Sequence, residues 1–492
     1  MLINSQFGNT GLIMSTDMAV RALDADLLAR ELGNWRTASH SGPAYLGLAD
    51  AIRLLIVDGR VPVGSRIPSE RALAESLRVS RTTVTSAFAQ LRTDGYLHAR
   101  RGARSLTALP MTERSRPEIA TPTVSLAAAA QSAPGSAVLD AYTEATRDIA
   151  PYLRGTGLEL MGAARLRDAL AERYCARGLP TDPSQIMVTS GAQHAIGLIL
   201  ASHTRPGDRV LVEQPTYHGA LSAISTVGAR PVPVALTENG WELDAVQAAL
   251  RQLAPSLAYL VPDCHNPTGF TLPSSDRERL GHIISDTRTR TIIDESITDV
   301  WLDGPAPEPL AASVPRGELA LTVGSMSKSF WGGLRVGWIR AEPGTLAAIA
   351  AVRSTVDLGT PILEQLAAVR LLQRQAEILP QRREILRSRR AFLIDLLARE
   401  LPDWRPGPGR GGMSLWMTLP APMSTALSAA ALRLGLDVPA GPRFGVDGTL
   451  ERFVRIPYAL EEHELEEAVQ LLAQAWHGVT GTLGAQAHTL VV

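Results

Sequence analysis

From about residue 140 onward, short apolar runs rich in β-branched residues alternate with longer stretches of helical periodicity. The runs fall at 186–189, 209–212, 257–261, 291–294 and 320–323. That order predicts an α/β domain: a mostly parallel sheet with helices on both faces. Several polar residues lie just past the ends of these runs, where open α/β sheets bind ligands. At 492 residues the chain is too long for one ordinary core, and two or three domains are expected.

A net charge of −1 would ordinarily argue against a nucleic-acid partner, but the charge is unevenly spread. Residues 45–105 hold ten arginines against five acids, so a compact basic module precedes a mildly acidic remainder. Hydrophobic content of 45% with 20% charged residues describes a globular chain with no large disordered fraction. Cys175 and Cys264 supply neither a disulfide framework nor metal-ligand spacing, so no metal is expected. The chain opens with no secretory signal pattern, and no apolar run approaches membrane-spanning length. A cytoplasmic protein with no membrane partner is the expectation.

Within the basic module, Leu48, Ile52, Leu55 and Ile56 recur at helical spacing and Gly59 stops that helix. Ser69 and Ser80 are positioned to cap short helices at 70–77 and 81–91, separated by a tight turn at Arg78-Val79. Residues 96–99 and 105–107 flank Arg100-Arg101-Gly102-Ala103 as a two-stranded wing with a basic tip. Helix, turn, helix and wing make a winged helix-turn-helix, with Arg81-Thr82-Thr83 opening the helix that would enter a major groove. The stretch Gly64-Ser65-Arg66-Ile67-Pro68-Ser69-Glu70-Arg71, with Val79-Ser80-Arg81-Thr82-Thr83-Val84 and Asp94-Gly95-Tyr96-Leu97, resembles the GntR-type winged helix. The resemblance implies contacts to double-stranded DNA from Arg71, Ser80, Arg81, Thr82, Thr83, Arg101 and Gly102.

The expected division is a partly helical extension over 1–44, the winged helix over 45–107, a linker over 108–139, the α/β domain over 140–478 and a flexible tail over 479–492. Pro110, Pro117, Pro122 and Pro134 punctuate the linker, which has no helical or strand period. As a flexible coil of about 30 residues it would reach roughly 30 Å, enough for exchange between protomers.

Lys328 is the only lysine in the chain; the other 47 of the 48 Lys+Arg residues are arginine. Arginine stays protonated, whereas a lysine amine can lose its proton and condense with an aldehyde. Ser325 and Ser327 precede Lys328, and Arg335 follows seven residues on, a set suited to a phosphorylated aldehyde. Asp294 ends an apolar strand, an expensive place for a carboxylate without a cationic partner such as a protonated pyridine. Ser190-Gly191-Ala192-Gln193 opens a helix where backbone N–H groups suit a phosphate. Tyr217 is placed to stack on a ring, and Asn266, held by Pro267 and Gly269, presents a fixed amide.

In this order, Gly191, Tyr217, Asn266, Asp294, Lys328, Arg335 and Arg455 resemble the fold-type I pyridoxal-phosphate (PLP) aminotransferases, over about residues 140–478 and with a smaller C-terminal α+β subdomain. The resemblance implies that Lys328 forms the Schiff base with PLP and Asp294 pairs with the pyridinium nitrogen. It further implies that Asn266 bonds the ring oxygen and Tyr217 stacks on the ring. Gly191, Ala192, Gln193, Ser325, Ser327 and Arg335 would hold the phosphate, and Arg455 would receive the carboxylate of an amino acid. One departure stands out: Ser296 and Ile297 occupy positions where the family usually has a tyrosine, which weakens the case for full transamination.

A GntR-like winged helix joined to such a domain resembles the MocR/GabR-type transcriptional regulators. That implies a head-to-tail homodimer whose DNA binding responds to a small molecule. The effector is either PLP itself or an amino acid or amine acting on a permanently bound cofactor. The rival reading is an active aminotransferase with a secondary DNA-binding domain, and a third is a regulator whose cofactor site is vestigial.

Overall fold

The computed structural model describes residues 22–33, 35, 43–58, 60–100, 103–108 and 124–487. The basic module consists of α1 (Ala25–Leu32), α2 (Ala44–Val57), α3 (Glu70–Leu77), α4 (Arg81–Thr93) and the wing strands β1 (Leu97–Arg100) and β2 (Ala103–Thr107). Ser69 Oγ accepts from the Ala72 N–H, and Ser80 Oγ from the Thr83 N–H, so each serine satisfies an orphan donor at a helix start. Arg78, in the left-handed region at φ 52°, makes the turn between α3 and α4.

Helix α1 was expected to lie outside this module. Instead Leu28, Leu32 and Trp35 are buried in one cluster with Leu48, Ile52, Leu73, Val84, Phe88 and Leu91, making α1 an integral fourth helix. Each fully buried leucine contributes roughly 1.5–3 kcal/mol, which explains why the short helix, capped by Asp24, is retained.

The large unit begins earlier than the expected boundary. Strand β3 (Val124–Ser125) pairs in parallel with a short C-terminal strand, and Leu126 is fully buried, so the second half of the supposed linker is part of the fold. There follow α5 (Ser136–Asp148), α6 (Ala164–Ala176), β4 (Ile186–Thr189), α7 (Ala192–His203), β5 (Arg209–Gln214), α8 (His218–Thr226), β6 (Arg230–Thr237), β7 (Gly240–Trp241), α9 (Leu243–Leu253), β8 (Leu257–Leu260), α10 (Ser274–Thr287), β9 (Thr291–Asp294), β10 (Ala320–Ser325), β11 (Gly337–Arg340) and α11 (Pro343–Arg353).

One sheet runs β4-β11-β10-β9-β8-β5-β6-β7. Its central neighbours are parallel, while β11 is antiparallel to both β10 and β4. Alternate residues feed two different cores: Val188, Leu211, Ala258 and Ile293 face one, and Met187, Val210, Tyr259 and Ile292 the other. Burial on both faces is why these runs read as continuously apolar.

Helices α12 (Ile362–Gln373) and α13 (Gln375–Glu400) lead to a smaller α+β layer. It holds β12 (Arg405–Pro406), β13 (Ser414–Thr418), α14 (Ser424–Arg433), β14 (Leu436–Asp437), β15 (Phe453–Pro457) and α15 (Glu462–Ala487). Helix α15 carries on through residues expected as a tail from 479. The partner of β3 is β14, so the chain entering the large unit is stitched to this layer. The winged helix packs on the same layer, α2 against α14, with Arg433–Asp50 at 3.4 Å and Arg443–Asp58 at 3.7 Å. Among the described residues no helix is long and apolar enough to cross a membrane.

Candidate functional site

The C-terminal ends of β8, β9 and β10 open into a cavity of about 360 Å³. Ala192, Gln193, Tyr217, Asn266, Asp294, Ser325, Ser327, Lys328, Arg335 and Arg455 all line it. Gly191 lies immediately behind the wall, at the start of α7. Residues spread over 264 positions of the chain thus converge on one space.

Asp294 closes β9 and is 5% exposed. It accepts hydrogen bonds from Tyr259 Oη on the neighbouring strand (2.7 Å) and from the Ser296 N–H (2.8 Å). Burial raises its carboxyl above the usual range, and no lysine, arginine or histidine pairs with it among the described residues. Such a group is stabilised by any cation brought to it. A pyridinium nitrogen fits that requirement.

Lys328 sits in the turn after β10, fixed by the Met326 N–H to Val336 and the Phe330 N–H to Met326. Its Nζ donates to the Ala129 carbonyl at 2.6 Å. Burial, then the charges of Arg455 and Arg335, bring its pKa down to about 8. At pH 7 about a tenth of such a group is the free amine, against well under a thousandth for an ordinary lysine. Its rate of PLP capture is therefore expected to climb about tenfold from pH 7 and to level off above about 8, measured by stopped-flow absorbance. A rate still rising steadily through pH 10 would contradict this environment.

One wall of the cavity is made by the β4–α7 turn. Gly191 has φ +91°, and a Cβ there would stand 2.5 Å from Arg335 Nη2. Glycine is required on both counts. Arg335 donates to the Ser190 carbonyl (3.1 Å), which holds its guanidinium beside the α7 N-terminus, and Ser325 Oγ accepts from the Ser327 N–H (3.1 Å). Gln193 Nε2 bonds the Gly219 carbonyl (2.9 Å), tying this turn to α8. A helix N-terminus, two serines and an exposed guanidinium suit a phosphate dianion.

Tyr217 is half-buried, its ring edge-on to His218 at 5.0 Å between centroids. Arg455, on β15, is 2% exposed and has no carboxylate partner among the described residues. It donates to the Leu126 (3.4 Å) and Ala127 carbonyls, approaches Asn266 Oδ1 (3.5 Å) and lies over the Phe444 ring at 5.0 Å. Burial, then Arg443, lowers its pKa to about 10. An arginine held only by carbonyls, an amide and a ring face stands ready for an anion.

Three contributors were not anticipated. Tyr259 left a sequence signal, a hydroxyl inside an apolar strand that needs a partner. His218, beside Tyr217, gave none. Ala127–Ala129 looked like linker because they act through backbone carbonyls.

On the winged helix, Ser80 Oγ lies 2.8 Å from the hydroxyls of both Thr82 and Thr83, and Arg81 and Thr82 are exposed at the start of α4. Arg71 is exposed nearby, paired with Glu75 at 3.0 Å. Arg101 and Gly102 lie outside the described residues.

Comparison with known proteins agrees with both halves. Residues 126–472 match the aminotransferase class I and II family, and residues 44–106 match the gntR family of bacterial regulatory proteins. The chain is 26% identical over 479 residues to YisV of Bacillus subtilis, an uncharacterised HTH-type transcriptional regulator, covering 90% of this chain and 98% of that protein. It is 26% identical over 392 residues to MocR of Rhizobium meliloti, a probable rhizopine catabolism regulatory protein, covering 74% and 78%. The crystal structure of LysN, an α-aminoadipate aminotransferase from Thermus thermophilus complexed with a phosphopyridoxyl-leucine adduct, superposes with a TM-score of 0.67 at 28% identity, covering 74% of this chain and 95% of that one. The chain belongs to the aminotransferase class I and II family and carries a GntR-type winged helix before it, the architecture of the MocR/GabR-type regulators.

Proposed function

We propose that the protein is a PLP-dependent transcriptional regulator, binding DNA through its winged helix and an amino compound in the cavity. The observation that carries this reading is that one chain holds both an exposed Ser80–Thr83 helix start and a cavity where its only lysine faces a buried, cation-seeking aspartate.

When bound, PLP supplies an aldehyde for amine capture and an electron-withdrawing ring. In that arrangement Lys328 is the group that holds it, Asp294 keeps the ring nitrogen charged, Tyr217 covers a ring face, and Asn266 bonds the ring oxygen. Arg335, Ser325, Ser327 and the Gly191–Gln193 turn anchor the phosphate. Arg455 orients an incoming carboxylate. The test is absorption of the purified protein with PLP before and after borohydride, followed by peptide mapping. A reduced adduct on Lys328 supports the reading; no band, with DNA binding intact, rejects the cofactor role.

The buried Arg455, held by carbonyls, an amide and a ring face, supports a carboxylate-bearing amine as the signal rather than PLP alone. Arg455→Ala is expected to leave the PLP band in place and to weaken amino-acid binding by about 10–100-fold, the loss of one charge-assisted, buried contact. An unchanged response of promoter binding to amino acids would return the signal to PLP.

For DNA, Arg81→Ala is expected to weaken binding across sequences and to lower the salt slope by about 1, as for loss of one phosphate contact. Gel-shift titrations at several salt concentrations measure both.

A homodimer in the cytoplasm completes the reading. Leu153, Leu158, Val356 and Leu358 are all more than half exposed, and Gly359 packs against Glu159, so two of these apolar segments adjoin. A second copy covering that face would remove the exposed apolar area. Turnover remains the second reading, favoured by the lowered Lys328 pKa, since such an amine suits proton transfer. A kcat of roughly 1 s⁻¹ or more with an amino acid and a 2-oxo acid would establish it.

A further inference from the structure

Between the winged helix and the cavity lies the segment from β14 to Phe444. Arg443 Nη1 stands 3.7 Å from Asp58 Oδ1, a carboxylate at the C-terminal cap of α2 in the winged helix. Both side chains are largely buried, at 19% and 16% exposure, so solvent screens them less than a surface pair. On its inner side Arg443 is the strongest like-charge influence on both Arg455 and His218. The next residue, Phe444, carries Arg455 over its face and His218 against its edge at 5.7 Å.

The cluster is short of negative charge. The Nε atoms of Arg443 and Arg455 and His218 Nδ1 are buried without a hydrogen-bond partner among the described residues. Lys328 adds a further cation within range of His218. Burial, followed by like-charge repulsion from Asp294, raises the Tyr217 hydroxyl, so it supplies no charge. Asp437 is the inner counter-ion, held by Ser125 Oγ at 3.2 Å, and burial raises its pKa. On the outer side of Arg443 the acid is Asp58, which arrives on the DNA-binding module and is also paired there with Arg60 at 3.5 Å.

We propose that Asp58 of the winged helix and a carboxylate on Arg455 are rival counter-ions of one cationic cluster, with Arg443 shared between them. Docking of the winged helix and filling of the cavity by an anionic amino compound then oppose each other. This rests on the reading that the effector brings a carboxylate to Arg455. The sign follows from electrostatics alone. Each anion lowers the positive potential that attracts the other, and the coupling is reciprocal. An effector therefore loosens the hold on Asp58, and freeing the winged helix raises the cavity's affinity for anions.

The test uses full-length, PLP-loaded wild type, Asp58→Asn, Arg443→Gln and the double variant, each checked for folding by circular dichroism. The visible band of the lysine-bound cofactor is titrated against pH. Asp58→Asn is expected to lower its midpoint by a few tenths of a unit and Arg443→Gln to raise it, with the double variant between them. Succinate, used as a carboxylate probe of the same band, is expected to bind Asp58→Asn about threefold more tightly than wild type. An Asp58→Asn midpoint equal to wild type, or succinate binding no tighter, overturns the inference while leaving the cofactor reading intact. A protein that takes up no PLP overturns both.

Discussion

Lys328→Ala is expected to abolish the visible PLP band and to leave borohydride with nothing to fix. The chain has no second lysine to substitute, so the effect should be complete rather than graded. PLP would be held only by its phosphate anchors and the Asp294 contact, and its affinity should fall by about 100-fold or more, at least ~2.7 kcal/mol. Equilibrium dialysis measures the affinity and absorption the band. Folding should be little affected, because Lys328 makes one hydrogen bond, to the Ala129 carbonyl, and ends in the cavity. A variant that kept the band would place the adduct elsewhere and undo the assignment of the site.

Asp294→Asn is expected to act in opposite directions on stability and on cofactor binding. In the cofactor-free protein the carboxylate is buried without a cation, and its pKa is raised. A carboxyl raised on folding favours the folded state below its unfolded pKa and opposes it as pH climbs through the folded value. The amide variant should therefore unfold at higher denaturant than wild type at pH 7, with the gain vanishing in acid. Binding of PLP should weaken by two to three orders of magnitude, because a buried ion pair loses one partner at about 3–5 kcal/mol. Denaturant melts with and without PLP read both effects. Weaker apo stability together with unchanged PLP affinity would show that Asp294 serves Tyr259 and the Ser296 backbone rather than a pyridinium.

How much of this could be read beforehand follows the chemistry. Asp294, Lys328, Arg335 and Arg455 were legible because no other side chain does the same work at those positions, and the large sheet together with β15 of the smaller one brings them into one cavity. The winged helix was legible because Ser69 and Ser80 announce helix starts that the fold uses. Helix α1 was not assigned to the module, since an eight-residue amphipathic stretch does not say which core its leucines enter. The boundary near 139 failed for a different reason. Proline and alanine suggested a tether, yet Val124 to Ala129 is held by backbone pairing to β14 and by carbonyls that bond Arg455 and Lys328. Main-chain contacts leave almost no trace in residue identity.

That last contact has a bearing on how the protein would respond to change. The strand that arrives from the DNA-binding module grips the cavity's two reactive cations through peptide oxygens alone. The side chains at 127 and 129 are therefore free to drift while the grip persists, whereas Val124 and Leu126 are tied to the core and Ser125 to Asp437. Comparison of related sequences would score the segment as unimportant, and an alanine scan would pass over Ala127, Ala128 and Ala129 without altering an atom. What would disturb it is a change in length or in backbone shape. One inserted residue would slide Leu126, Ala127 and Ala129 out of step with Arg455 and Lys328 and leave every functional side chain in place.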